Sequence, residues 1–229
     1  NVLKTYINGE LVAENGKSLL PKISVDTINN FVAEQVTAND FRVEDKGNDI
    51  NIIGVIEGEL LTEKLVGRAK SVDNNLVSDV ENDILKIAVV NRYENKKAAV
   101  GFIKNFGLKE GALASSVAHD SHNIICVGTN DEDMAFAANR IAENHGGIVV
   151  VKDGAVIAEL QLEIAGLMTN QNLVSVNEQL ENAKEAAYTL GISKAIDPFM
   201  TLSFMSLPVI PTLRLTTRGV VDVFTQAYV

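Results

Sequence analysis
What the chain is short of narrows its class first. Only one cysteine, Cys126, occurs among 229 residues. No disulfide can therefore form within the chain, and a reducing, cytoplasmic setting is expected. Basic residues are outnumbered: 20 Lys and Arg face 30 Asp and Glu, a net charge of −10. Such a surface repels a phosphate backbone and argues against nucleic-acid binding. The densest basic spot, Lys96-Lys97, reads as a solvated turn. No apolar run approaches the roughly 18 residues of a membrane span. No basic stretch followed by an apolar one opens the chain, so no secretion signal is expected. Internal repeats and low-complexity tracts are also missing.

What is present is 46% hydrophobic and 22% charged residues, enough for one large domain or two small ones with a sizeable core. The chain starts at Asn1, directly in the apolar stretch Val2-Leu3-Lys4-Thr5-Tyr6-Ile7. A native start more often leaves loose polar residues first. The chain thus reads as a fragment or as a trimmed product.

Strand signals predominate. Asn8-Gly9 and Asn15-Gly16 are turn pairs, so residues 1–19 read as a hairpin. A lone hairpin is marginal in water, so it should belong to a larger sheet. Pro21 opens a connecting segment, and a short helix capped by Asp26 is expected over 26–36. Strands are expected at Ile52 to Ile56, Leu60 to Val66, Ile84 to Val90, Ala98 to Phe106, Ala112 to Val117, Ile124 to Val127, Ile148 to Val151 and Val156 to Leu162. Polar turns are expected at Asp73-Asn74-Asn75 and Glu81-Asn82-Asp83. Two helices are expected: Asp131 to Asn144, with Thr129 and Glu132 at capping-box spacing, and Val176 to Leu190, with Ser175 and Glu178 likewise. Pro198, Pro208 and Pro211 punctuate the tail, which closes on the strand-like run Val220 to Phe224. The aromatic and Met-rich stretch Phe199 to Pro208 reads as core or packed tail. The pattern is α+β, mostly antiparallel and mixed sheets with a few packed helices, since helices and strands do not alternate regularly.

Chemistry concentrates in one place. Two of the three histidines fall within Ser115-Ser116-Val117-Ala118-His119-Asp120-Ser121-His122-Asn123, between two apolar runs. A loop hung between buried strands is well placed to present side chains to a ligand. His119 beside Asp120 suits proton transfer or ligand orientation. The competing reading is a tight turn whose Asp, Ser and Asn satisfy backbone groups. His119 and His122 lack a third ligand in a zinc-like spacing. Ser115 or Ser116 with His119 and Asp120 forms a triad only on paper, since neither serine sits in a nucleophile elbow. The acidic run Asn130-Asp131-Glu132-Asp133 reads as the first turn of a helix, favoured by its dipole, rather than as a calcium loop. His145 sits at a helix end, and Cys126 in an apolar run reads as a small hydrophobe. Gly107 and Gly111 lack the Lys-Ser/Thr pair of a phosphate loop.

These residues also carry a resemblance. The run from Gly107 to Asn123 resembles the signature of the adenine deaminase C-terminal domain. So do Val127-Gly128-Thr129-Asn130-Asp131-Glu132-Asp133-Met134, Gly146-Gly147-Ile148-Val149-Val150-Val151 and Asp197-Pro198-Phe199-Met200-Thr201-Leu202-Ser203-Phe204-Met205. The likeness runs from about Phe41 to the end. The opening hairpin resembles the last strands of the small β-domain flanking an amidohydrolase barrel. The resemblance implies residues 1–20 as the end of that β-domain and 21–229 as the C-terminal domain. It implies hydrolysis of adenine to hypoxanthine and ammonia by water activated on a divalent metal, manganese or iron, in a barrel outside this chain. The barrel's His-x-His pair has no counterpart here, so no metal ligand is expected in this chain. The implied site is the segment His119, Asp120, Ser121, His122 and Asn123, close to the barrel mouth. The implied partners are the barrel and adenine; self-association is left open. The chain departs from the pattern at Tyr93, where the family often has histidine. A stand-alone binding or scaffolding module, and an enzyme with its own site at His119 and His122, are the competing readings.

Overall fold
A computed structural model describes residues 1–21, 23 and 27–229. The chain opens with β1 (Lys4–Ile7), β2 (Glu10–Glu14) and β3 (Lys17–Ser18), paired antiparallel in that order. Asn8, Gly9, Asn15 and Gly16 all have positive φ, the backbone a two-residue type I′ connection needs.

Residues 27–36 follow without regular secondary structure. The helix expected over 26–36 does not form there, and Asp26 lies outside the described residues. The segment's hydrogen bonds go to the body of the molecule instead of to itself. The Val32 amide donates to the Arg92 carbonyl, Asn29 Nδ2 donates to the carbonyls of His145 and Glu163, and the Asn139 side chain bonds both backbone groups of Val36.

A single 3₁₀ turn, Ala38–Phe41, then buries Phe41. Next come β4 (Val43–Glu44), β5 (Ile50–Val55), β6 (Thr62–Gly67), β7 (Lys70–Val72), β8 (Asn75–Val77), β9 (Ile84–Val90) and β10 (Ala99–Lys104). The central part holds β11 (Ala112–Ser115), β12 (Ile124–Gly128), α1 (Asp131–Glu143), β13 (Gly147–Lys152) and β14 (Ala155–Gln161). The tail holds α2 (Leu173–Thr189), α3 (Pro198–Phe204), β15 (Leu213–Thr216), β16 (Gly219–Asp222) and β17 (Ala227–Tyr228). The α+β class holds.

Eight strands make one sheet in the order β14-β13-β11-β12-β9-β10-β5-β6. All its pairs are antiparallel except β5 with β10, where Ile52 faces Phe102 in parallel register. Both faces are covered, which is why the strands read as nearly unbroken apolar runs. Along β9, Leu85, Ile87 and Val89 serve one face while Ala88 and Val90 serve the other.

Helix α1 lays Met134, Ala137, Ala138 and Ile141 on the face formed by Ala88, Ala112, Ala114 and Cys126. The strand residues there are small, and the approach is close: a methyl group on Gly128 would sit 2.4 Å from Met134 Cγ. Lys86 is 1% exposed and donates to both Asp131 carboxylate oxygens at 2.8 Å and to the Phe41 carbonyl at 2.9 Å. The opposite face, with Leu85, Leu113, Ile125 and Val127, carries α2, α3 and β15 through Ala183, Ala187, Phe199, Leu202 and Leu215.

Both expected helices form, with different caps. The α1 cap is Asn130, whose Oδ1 accepts from the Asp133 amide at 2.7 Å. Thr129 instead donates its hydroxyl to the Gly111 carbonyl. Helix α2 starts three residues earlier than expected, with Asn172 accepting from the Ser175 amide at 3.0 Å. Asparagine caps as well as serine, and here it stands closer to the chain's entry into the helix. Helix α3 is an addition within the stretch read as core or packed tail. Asp197 accepts from the amides of Phe199 and Met200, and Pro198 occupies the first turn, where its fixed φ suits a helix and its missing N–H costs nothing. Strands β7, β8 and β15 are additions too, set by hairpin pairing around Asp73-Asn74 and with β16. Among the described residues, no helix is long and apolar enough to cross a membrane.

Candidate functional site
Strands β11 and β12 are adjacent, with Ser115 opposite Ile125. Residues 116–123 are therefore the connection between two buried neighbours, at one end of the sheet. Much of this loop is fixed through its backbone. The His119 amide donates to the Ser203 carbonyl at 3.0 Å, and the His119 carbonyl accepts from Ser206 Oγ at 3.1 Å. The His122 amide closes the loop on the Ala118 carbonyl at 2.7 Å. Tyr93 Oη donates to the Ser121 carbonyl at 2.9 Å. Buried Asn123 spends its Oδ1 on the Arg92 amide at 3.1 Å.

The side chains of His119, Asp120, Ser121 and His122 are treated differently. Among the described residues none of the four makes a hydrogen bond to the protein. Asp120 and Ser121 are exposed, and the two imidazoles are half-buried. The His119 ring leans on Phe204, centroids 4.7 Å apart, and stands 6.2 Å from the His122 ring. Burial pushes the His122 pKa down, His119 and Arg92 push it further, and Asp120 opposes them. His122 Nδ1 is buried without a partner.

The loop borders two hollows. One, of about 220 Å³, is lined by Val117, His119, Leu180, Phe199, Met200 and Ser203, with the Lys184–Asp197 ion pair (2.9 Å) at its wall. The other, of about 310 Å³, is lined among others by Asp120, Ser121, Asn123, Ser206, Pro208 and Thr216. The first hollow offers mostly apolar walls and one imidazole able to give or take a proton. Among the described residues no group of three or more His, Cys, Asp or Glu is placed to hold a metal ion.

Both serines are committed to the backbone. Ser116 Oγ donates to the Gly166 carbonyl at 2.6 Å and accepts from the Gly147 amide at 2.8 Å, while Ser115 Oγ accepts from the Val117 amide at 3.0 Å. Neither is hydrogen-bonded to His119, so the paper triad does not assemble. Asp131 is bonded to Lys86 rather than left for a cation. His145 sits with φ 57° just past α1, its ring edge-on to Phe31 at 6.2 Å. Cys126 is fully buried, and burial pushes its thiol pKa up, the opposite of a reactive thiolate. Missed by sequence reasoning were Arg92, Ser203, Ser206 and Phe204. The last three sit on or beside the unforeseen α3, and a lone arginine after an apolar strand carries no local signal.

The description "Adenine deaminase C-terminal domain" matches residues 59–227. An adenine deaminase of Kosmotoga olearia is 44% identical over 229 residues, covering 98% of this chain and 40% of that protein. One of Brucella anthropi is 48% identical over 202 residues, covering 88% and 36%. One of Methanosarcina acetivorans is 45% identical over 233 residues, covering 97% and 42%. This chain spans about two-fifths of the length of these relatives. By the family match and by these identities, the chain belongs to the adenine deaminase C-terminal domain family.

Proposed function
We propose that the chain is the C-terminal part of an enzyme that hydrolyses adenine: water adds at the amino-bearing ring carbon, ammonia leaves and hypoxanthine remains. The names of the relatives support the substrate. The reaction centre lies in a barrel segment outside this chain, with residues 1–20 closing that segment's small β-domain. A divalent metal, manganese or iron, bound there lowers the pKa of a water toward neutrality. This chain supplies no ligand to it and is inactive alone. Its contribution is the segment His119 to Asn123, which closes the purine pocket and excludes water. His119 contacts the substrate side, Asp120 and Ser121 line the approach, and the His122 amide and the Asn123 side chain hold the loop's shape.

The observation that carries this reading is the division of labour in the loop. The backbone is tied down by four of the hydrogen bonds described above and the Asn123 side chain by the Arg92 amide, while the two imidazoles are left unbonded and His119 faces an apolar hollow. A turn that was only structural would spend its polar side chains on its own backbone. In the full-length protein, His119→Ala should lower the rate of ammonia release from adenine at least tenfold, with metal content unchanged. Kinetics equal to the parent's would reduce the segment to a structural turn.

A further inference from the structure
Arg92 follows β9 and is 5% exposed. Its guanidinium lies between two rings, 4.6 Å from the Phe31 centroid and 4.7 Å from that of Tyr93. Nη1 donates to the Ala165 carbonyl at 2.9 Å and Nη2 to Tyr93 Oη at 2.9 Å. Tyr93 Oη in turn donates to the Ser121 carbonyl at 2.9 Å. The Arg92 amide donates to Asn123 Oδ1, and its carbonyl accepts from the Val32 amide at 2.7 Å. The neighbouring backbone is shaped to admit the group: at Gly166, φ is +74° and an added Cβ would sit 2.2 Å from Nη1.

These contacts reach three separate segments: 27–36, the turn around Ala165 and Gly166, and the loop 119–123. A planar guanidinium can stack on two faces and bond along its edge at once, which an ammonium cannot do. Donation from a cation to the Tyr93 hydroxyl polarises it and strengthens its donation to Ser121. The sheet's own ladder uses none of these side-chain bonds.

We propose that Arg92 and Tyr93 are positioning residues that set the histidine-bearing loop and lock it to the segment 27–36 that follows the N-terminal hairpin. The loop thereby takes its place from the same residue that anchors the connection between the two parts of the chain. The effect on the loop stands on this geometry alone; its bearing on deamination rests on the function proposed above.

Tyr93→Phe keeps the ring and removes only the hydroxyl. In the 229-residue chain, amide exchange at His122 should speed up about fivefold, the worth of one hydrogen bond, with amides in β9 and β12 unchanged. Arg92→Lys should loosen His122 equally and also speed exchange at Val32. Should Arg92→Lys fail to fold, Tyr93→Phe decides alone. His122 exchange unchanged in Tyr93→Phe overturns the proposal. In the full-length enzyme, Tyr93→Phe should lower kcat at least threefold with little change in KM and none in metal content. A loosened loop with unaltered kcat leaves the brace standing and removes the loop from the reaction centre.

Discussion
The two faces of the central sheet are covered in different ways. On one face a single helix, α1, lies on alanines and a glycine, and the buried Lys86–Asp131 pair closes its first turn. On the other face the cover comes in pieces: α2, α3 and the β15–β16 hairpin sit on large side chains. One helix covers the middle of the α1 face, and hollows of about 280 and 330 Å³ lie only at its margins among the described residues, beside residues 33–36 and beside the first turn of α1. Several short elements cover the other face, and the loop of His119 borders hollows between them. The α1 face is the place to look for stability, the pieced face for function.

The contrast can be broken at its strongest point first. Lys86→Ala removes the only cation bonded to Asp131 among the described residues and leaves that carboxylate half-buried. It should cost about 3–5 kcal/mol, read from urea unfolding; a loss under about 1 kcal/mol would mean the α1 face is open to water. Next, packing tolerance should differ between the faces. Gly128→Ala presses on Met134 and Ala112 and should cost about 1–3 kcal/mol. Val117→Leu, pointing at the 220 Å³ hollow, should change stability by less than about 0.5 kcal/mol. Equal costs at the two sites would erase the distinction drawn above.

The last test is a pH signature at the rim of the α1 face. Two hydrogen bonds from Arg140, both 2.8 Å, hold the Glu159 carboxyl below its ordinary range. A depressed folded pKa stabilises the protein above the ordinary glutamate range, and that stabilisation is lost as pH falls through the depressed value. Glu159→Gln should therefore cost less than about 1 kcal/mol at neutral pH. The gap from the parent should close on acidification. A gap that widens toward acid would have the sign wrong and reject the assignment.

Much of this architecture was legible in the residues, for reasons that can be named. Ile84 to Val90 was bounded correctly because a strand buried on both faces has no polar alternation to blur it. The Asn-Gly pairs gave the opening hairpin because few other dipeptides accept two positive φ values. Where the reading slipped, a competing rule had won. Serine and threonine at capping-box spacing outweighed Asn130 and Asn172, the real caps. Prolines in the tail read as punctuation, although Pro198 behind Asp197 starts a helix. The expected helix over 26–36 dissolved because its apolar residues answer to α1 and Arg92, contacts distant in sequence. For the candidate site, the loop and its flanking strands were visible. The roles within it were not, since nothing local tells that Asn123 is buried and bonded to the Arg92 amide while Asp120 is exposed. Buried Arg214 shows the same blindness: burial pushes its pKa down to about 10, and Thr62 and backbone carbonyls hold it.

Cys126 lies in β12, the fourth of the eight strands counted from the β14 edge, and no part of it reaches solvent. A thiol-specific reagent can meet it only when the sheet parts. With no second thiol to compete, the rate of its labelling is a clock for whole-molecule opening. It runs without any added probe, against which the quicker local motions of the histidine loop can be timed.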